Sequence, residues 1–177
     1  MRRTAMALAA LSLVAVGCGS NSKSSSSSSA AGASTAGFTV DSANVPGVGK
    51  VLVNAAGHTM YVLSSEAGGK ITCVDSNGCT KYWPDSELPK GVTAATAGSG
   101  VDASKLGTAK NSGGDLYVTY GGYPLYTFAG DSASGMAKGE GVNSFGGTWM
   151  AMGVDGTPVQ AATSGSTPTT AYSGGGY

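Results

Sequence analysis

Residues 51–66, VLVNAAGHTMYVLSSE, lie without a gap over residues 116–131, LYVTYGGYPLYTFAGD, at an offset of 65 positions. Val51 falls on Leu116, Val53 on Val118, Gly57 on Gly122, Met60 on Leu125, Tyr61 on Tyr126, Leu63 on Phe128 and Glu66 on Asp131. One copy alone would read as an ordinary hairpin; the second makes it a unit used twice. In the later copy Leu116, Val118 and Tyr120 alternate with Tyr117 and Thr119, Gly121-Gly122 supplies a turn, and residues 123–128 return. Gly-Gly accepts the positive φ angles of a primed two-residue turn, and residues 54–57, NAAG, do the same job less tidily. Pro124 cannot donate to a ladder, so the returning strand is expected at a sheet edge or with that position facing outward.

Outward from the hairpins, Trp83 follows Tyr61 by 22 residues and Trp149 follows Tyr126 by 23, so each hairpin gains an indole from a later segment. Each ring is expected to pack as core, with its N–H in need of a partner. Residues 101–106 suit one short helical turn with Asp102 as its cap, and Asp155-Gly156 marks a turn before Pro158. No long amphipathic helix is legible. The expected fold is mainly β, with two related β-hairpin repeats at about residues 50–84 and 115–150 packed as one small domain spanning 38–162. Thirty glycines in 177 residues, against the usual fraction of roughly 7%, agree with many tight turns between short strands.

The ends of the chain read differently. Arg2 and Arg3 precede an apolar run at residues 5–16, too short to span a bilayer, which needs roughly 20 residues, but suited to a signal peptide over residues 1–17. Val14-Ala15-Val16-Gly17-Cys18 resembles the lipobox of bacterial lipoproteins, with Ala15 where Leu is usual. That resemblance implies cleavage before Cys18, acyl chains on its thiol (a diacylglyceryl group, with palmitate as the fatty acid), and the membrane as a partner. The other reading is an ordinary secretory signal with an incidental Cys. Residues 18–37, nearly all Ser, Ala and Gly after the cysteine, read as a tether, and residues 163–177 as a disordered tail. The expected address is the bacterial cell envelope, lipid-anchored and facing the periplasm or exterior.

Without Arg2 and Arg3, eight Lys face ten acidic residues, and no basic run exists, so nucleic acid is excluded as a partner. Cys73 and Cys79, the thiols left after Cys18, are read as a structural disulfide closing the loop CVDSNGC. A ring that small contributes about 2 kcal/mol. A redox or metal pair is the functional alternative, although the spacing is not Cys-x-x-Cys and His58 is the sole histidine.

Together these residues resemble a family of bacterial secreted-repeat lipoproteins marked by Tyr-x-(Phe/Trp/Tyr)-x-x-Asp. The motif is complete at Tyr126, Phe128 and Asp131 and looser at Tyr61, Leu63 and Glu66. Cys73, Cys79 and Trp83-Pro84 after the first copy, and Pro124-Leu125-Tyr126 with a Gly-rich stretch to Trp149 in the second, complete the pattern. The resemblance covers about residues 50–157, with Met150 where His often follows the Trp. It implies localisation and architecture and transfers no mechanism.

Tyr61, Glu66, Tyr126, Phe128 and Asp131 are the candidate ligand or motif residues. Asp131 could line a shallow polar pocket with Tyr126 and Glu140, where oxygen ligands suit a hard cation. It could instead accept backbone N–H groups in the turn after the hairpin, a role that its counterpart Glu66 favours. Of the tyrosines, Tyr117 and Tyr120 point to opposite strand faces, so at least one is a candidate for the surface, and Tyr82 neighbours Trp83. Exposed rings there would stack on a sugar or grip a protein. A non-enzyme is expected, since no Gly-x-Ser-x-Gly elbow, His-Glu-x-x-His or phosphate loop is present. No cofactor is expected, and a metal ion is left open. The leading expectation is a noncatalytic envelope module binding a protein, glycan or small ligand. The alternative is a redox- or metal-associated periplasmic protein using His58, Met150, Met152, the cysteines or the Tyr and Asp motif.

Overall fold

The computed structural model describes residues 37–160. The signal peptide, Cys18, the tether and the tail expected at 163–177 lie outside the described residues. Those described form a small, mainly β domain of three sheets with short 3₁₀ turns. Its strands are β1 (Thr39–Val45), β2 (Gly49–Asn54), β3 (Tyr61–Leu63), β4 (Thr96–Ala97), β5 (Leu106–Lys110), β6 (Leu116–Tyr120), β7 (Tyr123–Pro124), β8 (Asn143–Ser144) and β9 (Gly147–Ala151). The sheet orders are β2-β1-β4, β3-β9-β8 and β5-β6-β7. This differs from two self-contained hairpins. The earlier hairpin divides its strands between sheets, β2 pairing with β1 while β3 pairs with β9.

The later hairpin closes as its sequence demands. Tyr120 pairs with Tyr123 around Gly121 and Gly122, whose φ angles are +56° and +83°. Pro124 lies on β7, an edge strand. In the earlier hairpin, Asn54 N–H donates to the His58 carbonyl and Val53 bridges Thr59. That loop is one residue longer. Ala55 and Ala56 carry Cβ atoms that disfavour a primed turn, and Gly57, at φ +80°, takes the left-handed position. The extra residue corrects the ungapped alignment on the outgoing strand: Leu52, not Val53, is the counterpart of Val118. Met60 N–H donates to Leu52 O as Leu125 N–H donates to Val118 O, both at 2.9 Å.

Each hairpin is closed by a third segment. Leu52 N–H donates to Met152 O and Met152 N–H to Met60 O, completing a ring of three. Val118 N–H donates to Ser86 O and Ser86 N–H to Leu125 O, making the same ring in the later hairpin. The segment after the first hairpin therefore closes the second, and the segment after the second closes the first. Between the rings Tyr61 and Tyr126 exchange both backbone hydrogen bonds, at 2.7 and 2.9 Å.

Two apolar clusters fill the interior. One contains Val51, Tyr61, Leu63, Trp83, Tyr117, Tyr126, Trp149 and the cystine, the other Leu52, Met60, Val62, Val118, Tyr120, Leu125 and Met152. Burial of each large apolar side chain contributes roughly 1.5–3 kcal/mol. Tyr117 and Tyr120 do lie on opposite faces of β6, yet both are buried because each face meets its own cluster. That overturns the expectation of a surface ring on this strand. Trp83 and Trp149 stack on each other, centroids 3.9 Å apart and planes 5° from parallel, and the Trp149 indole N–H donates to Ser144 Oγ. The short turn expected between the hairpins is a 3₁₀ turn, Ala103–Lys105, capped by Asp102, which accepts from Ser104 N–H.

Candidate functional site

Cys73 and Cys79 form a disulfide with Cα atoms 5.1 Å apart, buried in the first cluster. The preceding loop is fixed by Glu66, whose Oε1 accepts from Thr72 N–H, Thr72 Oγ1 and Cys73 N–H. Asp131 does the matching job, with Oδ1 accepting from Lys138 N–H, again seven residues on. Its Oδ2 accepts from the Tyr61 hydroxyl at 2.7 Å. The acid of the later motif thus bonds the tyrosine of the earlier one. The reverse pairing sets Glu66 beside Tyr126, although neither Tyr126 OH nor Glu66 Oε2 completes a hydrogen bond of normal geometry.

These groups are not a shallow pocket. Glu66 and Asp131 are buried, and Asp131 faces Tyr61 rather than Tyr126. Glu140 accepts from Ala151 N–H through Oε2, and burial raises its pKa. Burial first, and then the neighbouring carboxylate, drives the hydroxyls of Tyr61 and Tyr126 far above the ordinary tyrosine range. Phe128 packs half-buried against Trp83, centroids 4.4 Å apart. Among the described residues no group of three or more His, Cys, Asp or Glu is arranged to hold a metal ion.

The accessible chemistry lies elsewhere. An open cleft of about 580 Å³ is lined by Asp75, Thr80, Lys81, Pro84, Asp85 and Glu87. Tyr117 donates to Asp85 Oδ2 at 2.7 Å, tying the cleft wall to the core. Thr80 Oγ1 donates to Asp75. The Glu87 carboxyl is raised in pKa by desolvation and then by the charges of Asp115, Asp85 and Asp75. Beside the cleft in sequence, Tyr82 is 52% exposed, and the Lys81 ammonium reaches over its ring at 5.8 Å. Its neighbour is Phe145, 36% exposed, with ring centroids 6.3 Å apart.

Phe145 occupies the first central position of the two-residue turn joining β8 to β9, where Ser144 pairs with Gly147. Its φ is +53°, and Gly146 follows at +85°. Two positive values in succession are the mark of a type I′ turn, which ordinarily takes Asn, Asp or Gly at the first position; a bulky side chain there is strained. Of this exposed pair, sequence reasoning singled out Tyr82 and missed Phe145. The Ser-Phe-Gly-Gly stretch carried a turn signal, but residue type alone does not reveal that the aromatic holds the left-handed position.

Residues 107–152 match a family model described as a secreted repeat of unknown function. The matched region holds the later hairpin, Asp131, the Phe145 turn and Trp149. No curated protein and no solved structure matches the chain. No described helix is long and apolar enough to cross a membrane.

Proposed function

We propose that this chain is a noncatalytic envelope module, anchored through acyl chains on Cys18, that recognises a glycan at the Tyr82–Phe145 pair and the adjoining acidic cleft. The observation that carries the reading is Phe145, an exposed aromatic held at positive φ against an exposed tyrosine. Backbone strain of this kind clusters at ligand-binding and active sites. Aromatic faces accept the C–H face of a pyranose, while Asp75, Asp85 and Glu87 offer acceptors for hydroxyl groups. Three carboxylates against Lys81 favour a neutral or amino-bearing sugar over an anionic one. The secreted-repeat match and the lipobox-like sequence support the envelope address.

The same reading takes the domain as two related hairpin copies that exchange their third segments, which the crosswise hydrogen bonds support. An N-acetylglucosamine oligomer titrated into the isotope-labelled domain tests the site. The expected result is amide and ring shifts centred on Tyr82, Phe145 and Asp85, with affinity reduced about tenfold or more in Tyr82→Ala, a loss typical of a contact worth 1.4 kcal/mol or more. Shifts confined to other surfaces, or binding untouched by Tyr82→Ala, would overturn it.

A further inference from the structure

The first core cluster has an order that packing alone does not require. Tyr61 meets Trp83 edge-on at 5.6 Å, Trp83 stacks on Trp149 at 3.9 Å, Trp149 meets Tyr126 at 5.2 Å, and Tyr126 meets Tyr117 at 6.3 Å. These rings form one unbroken chain, and all are buried. Each phenol stands at a carboxylate: Tyr61 at Asp131, Tyr117 at Asp85, both 2.7 Å, and Tyr126 beside Glu66. Phenylalanine would fill the same volume. Burying an acid to meet a hydroxyl is costly, and a well-packed apolar substitute is often neutral or stabilising.

We propose that this core is a radical sink, in which a hole placed on the stacked Trp83–Trp149 pair by a high-potential one-electron oxidant moves to Tyr61 as its proton passes to Asp131. The inference is independent of glycan recognition. In the first step the oxidant gains one electron and an indole becomes a radical cation, its charge shared with the parallel ring. In the second, Tyr61 returns an electron to the indole while its O–H bond breaks and the proton joins Asp131 Oδ2. The products are an intact tryptophan, a neutral tyrosyl radical and a protonated carboxyl, so charge and atoms balance. A phenol gives up its electron readily only when its proton has somewhere to go, and the 2.7 Å hydrogen bond supplies the acceptor. Gly139 lets the site close: a Cβ there would come within 2.9 Å of the Tyr61 ring and 3.0 Å of the Trp83 ring, and its N–H donates to the Tyr61 oxygen.

The test is transient absorption after flash-quench oxidation by ruthenium(III) tris-bipyridine, on the disulfide-intact domain carrying Tyr82→Phe so that its exposed phenol is silent. The expected result is a tryptophan radical replaced by a tyrosyl radical, more slowly in D₂O. Asp131→Asn keeps an oxygen that accepts from Tyr61 but takes no proton, and should slow the replacement by about tenfold or more; Tyr61→Phe should abolish most of it. A tryptophan radical that decays without a tyrosyl product, a rate unchanged in D₂O, or equal conversion in Asp131→Asn would overturn the proposal. The D₂O comparison needs no core variant, so it decides even if the substituted chains fail to fold.

Discussion

The phenol of Tyr61 bonds a carboxylate 70 positions along the chain, while the acid of its own motif, Glu66, holds the disulfide loop and sits beside Tyr126. Sequence reading picked out all four residues, yet it grouped each tyrosine with the acid five positions on, because only the folded chain reveals the crossing. The crossed pairs have a titration signature. Tyr61, Tyr117 and Tyr126 all have hydroxyls raised above the usual range, mainly by burial. Their contribution to stability is complete below the unfolded value of about 10 and declines as pH rises beyond it, since the unfolded chain then releases protons that the fold retains. A spectrophotometric titration should show these three phenols silent until the domain unfolds, and the urea midpoint should fall from pH 9 to pH 11. Phe145 gives the opposite kind of expectation. Phe145→Gly relieves the left-handed strain and, after the added chain entropy of glycine, should raise stability by up to about 1 kcal/mol in urea unfolding. The same variant should weaken glycan binding; a loss of stability would show that the ring is held for packing.

Among the elements, those with strong local chemistry were legible and those made by their partners were not. The β6 sequence LYVTY has β-forming residues and a Gly-Gly turn after it, and Pro124 marked its companion as an edge. β1, TVDSANV, and β5, LGTAK, carry weak patterns and gain their pairing from β2 and β6. β4 is two residues laid parallel to β1, with no local signal to announce it. The Asp102 cap was legible because its side chain bonds the turn it begins. Its carboxyl is lowered to about 2 by hydrogen bonds from Lys105 and Ser104. Asp102→Ala should lower the urea midpoint at neutral pH, because the Ser104 N–H loses the side-chain acceptor that begins the turn. That difference should shrink in strong acid, because a depressed carboxyl gives its stability above the unfolded value and loses it as pH falls through the folded one. An unchanged midpoint at neutral pH would mean that the turn is held by its flanking strands alone.

At the scale of the whole domain, the likeness of residues 51–66 to residues 116–131 does not say which hairpin each later segment closes; the hydrogen bonds do. The crossed arrangement predicts that a chain ending at Gly146, which lacks β9 and Met152, opens the earlier hairpin, while the later one keeps its closing Ser86. Amide exchange should show Leu52, whose acceptor is the Met152 carbonyl, losing more protection than Val118, whose acceptor on Ser86 remains; a protected Leu52 would mean that the earlier hairpin closes on its own. The ring of three has a further consequence in time. A ribosome delivers Leu52 and Met60 long before Met152, so the first hairpin waits, open at one side, through almost a hundred residues of synthesis. The later hairpin meets its closing Ser86 as soon as residue 125 is made, so the earlier hairpin, first in the chain, is the last part of the domain to close.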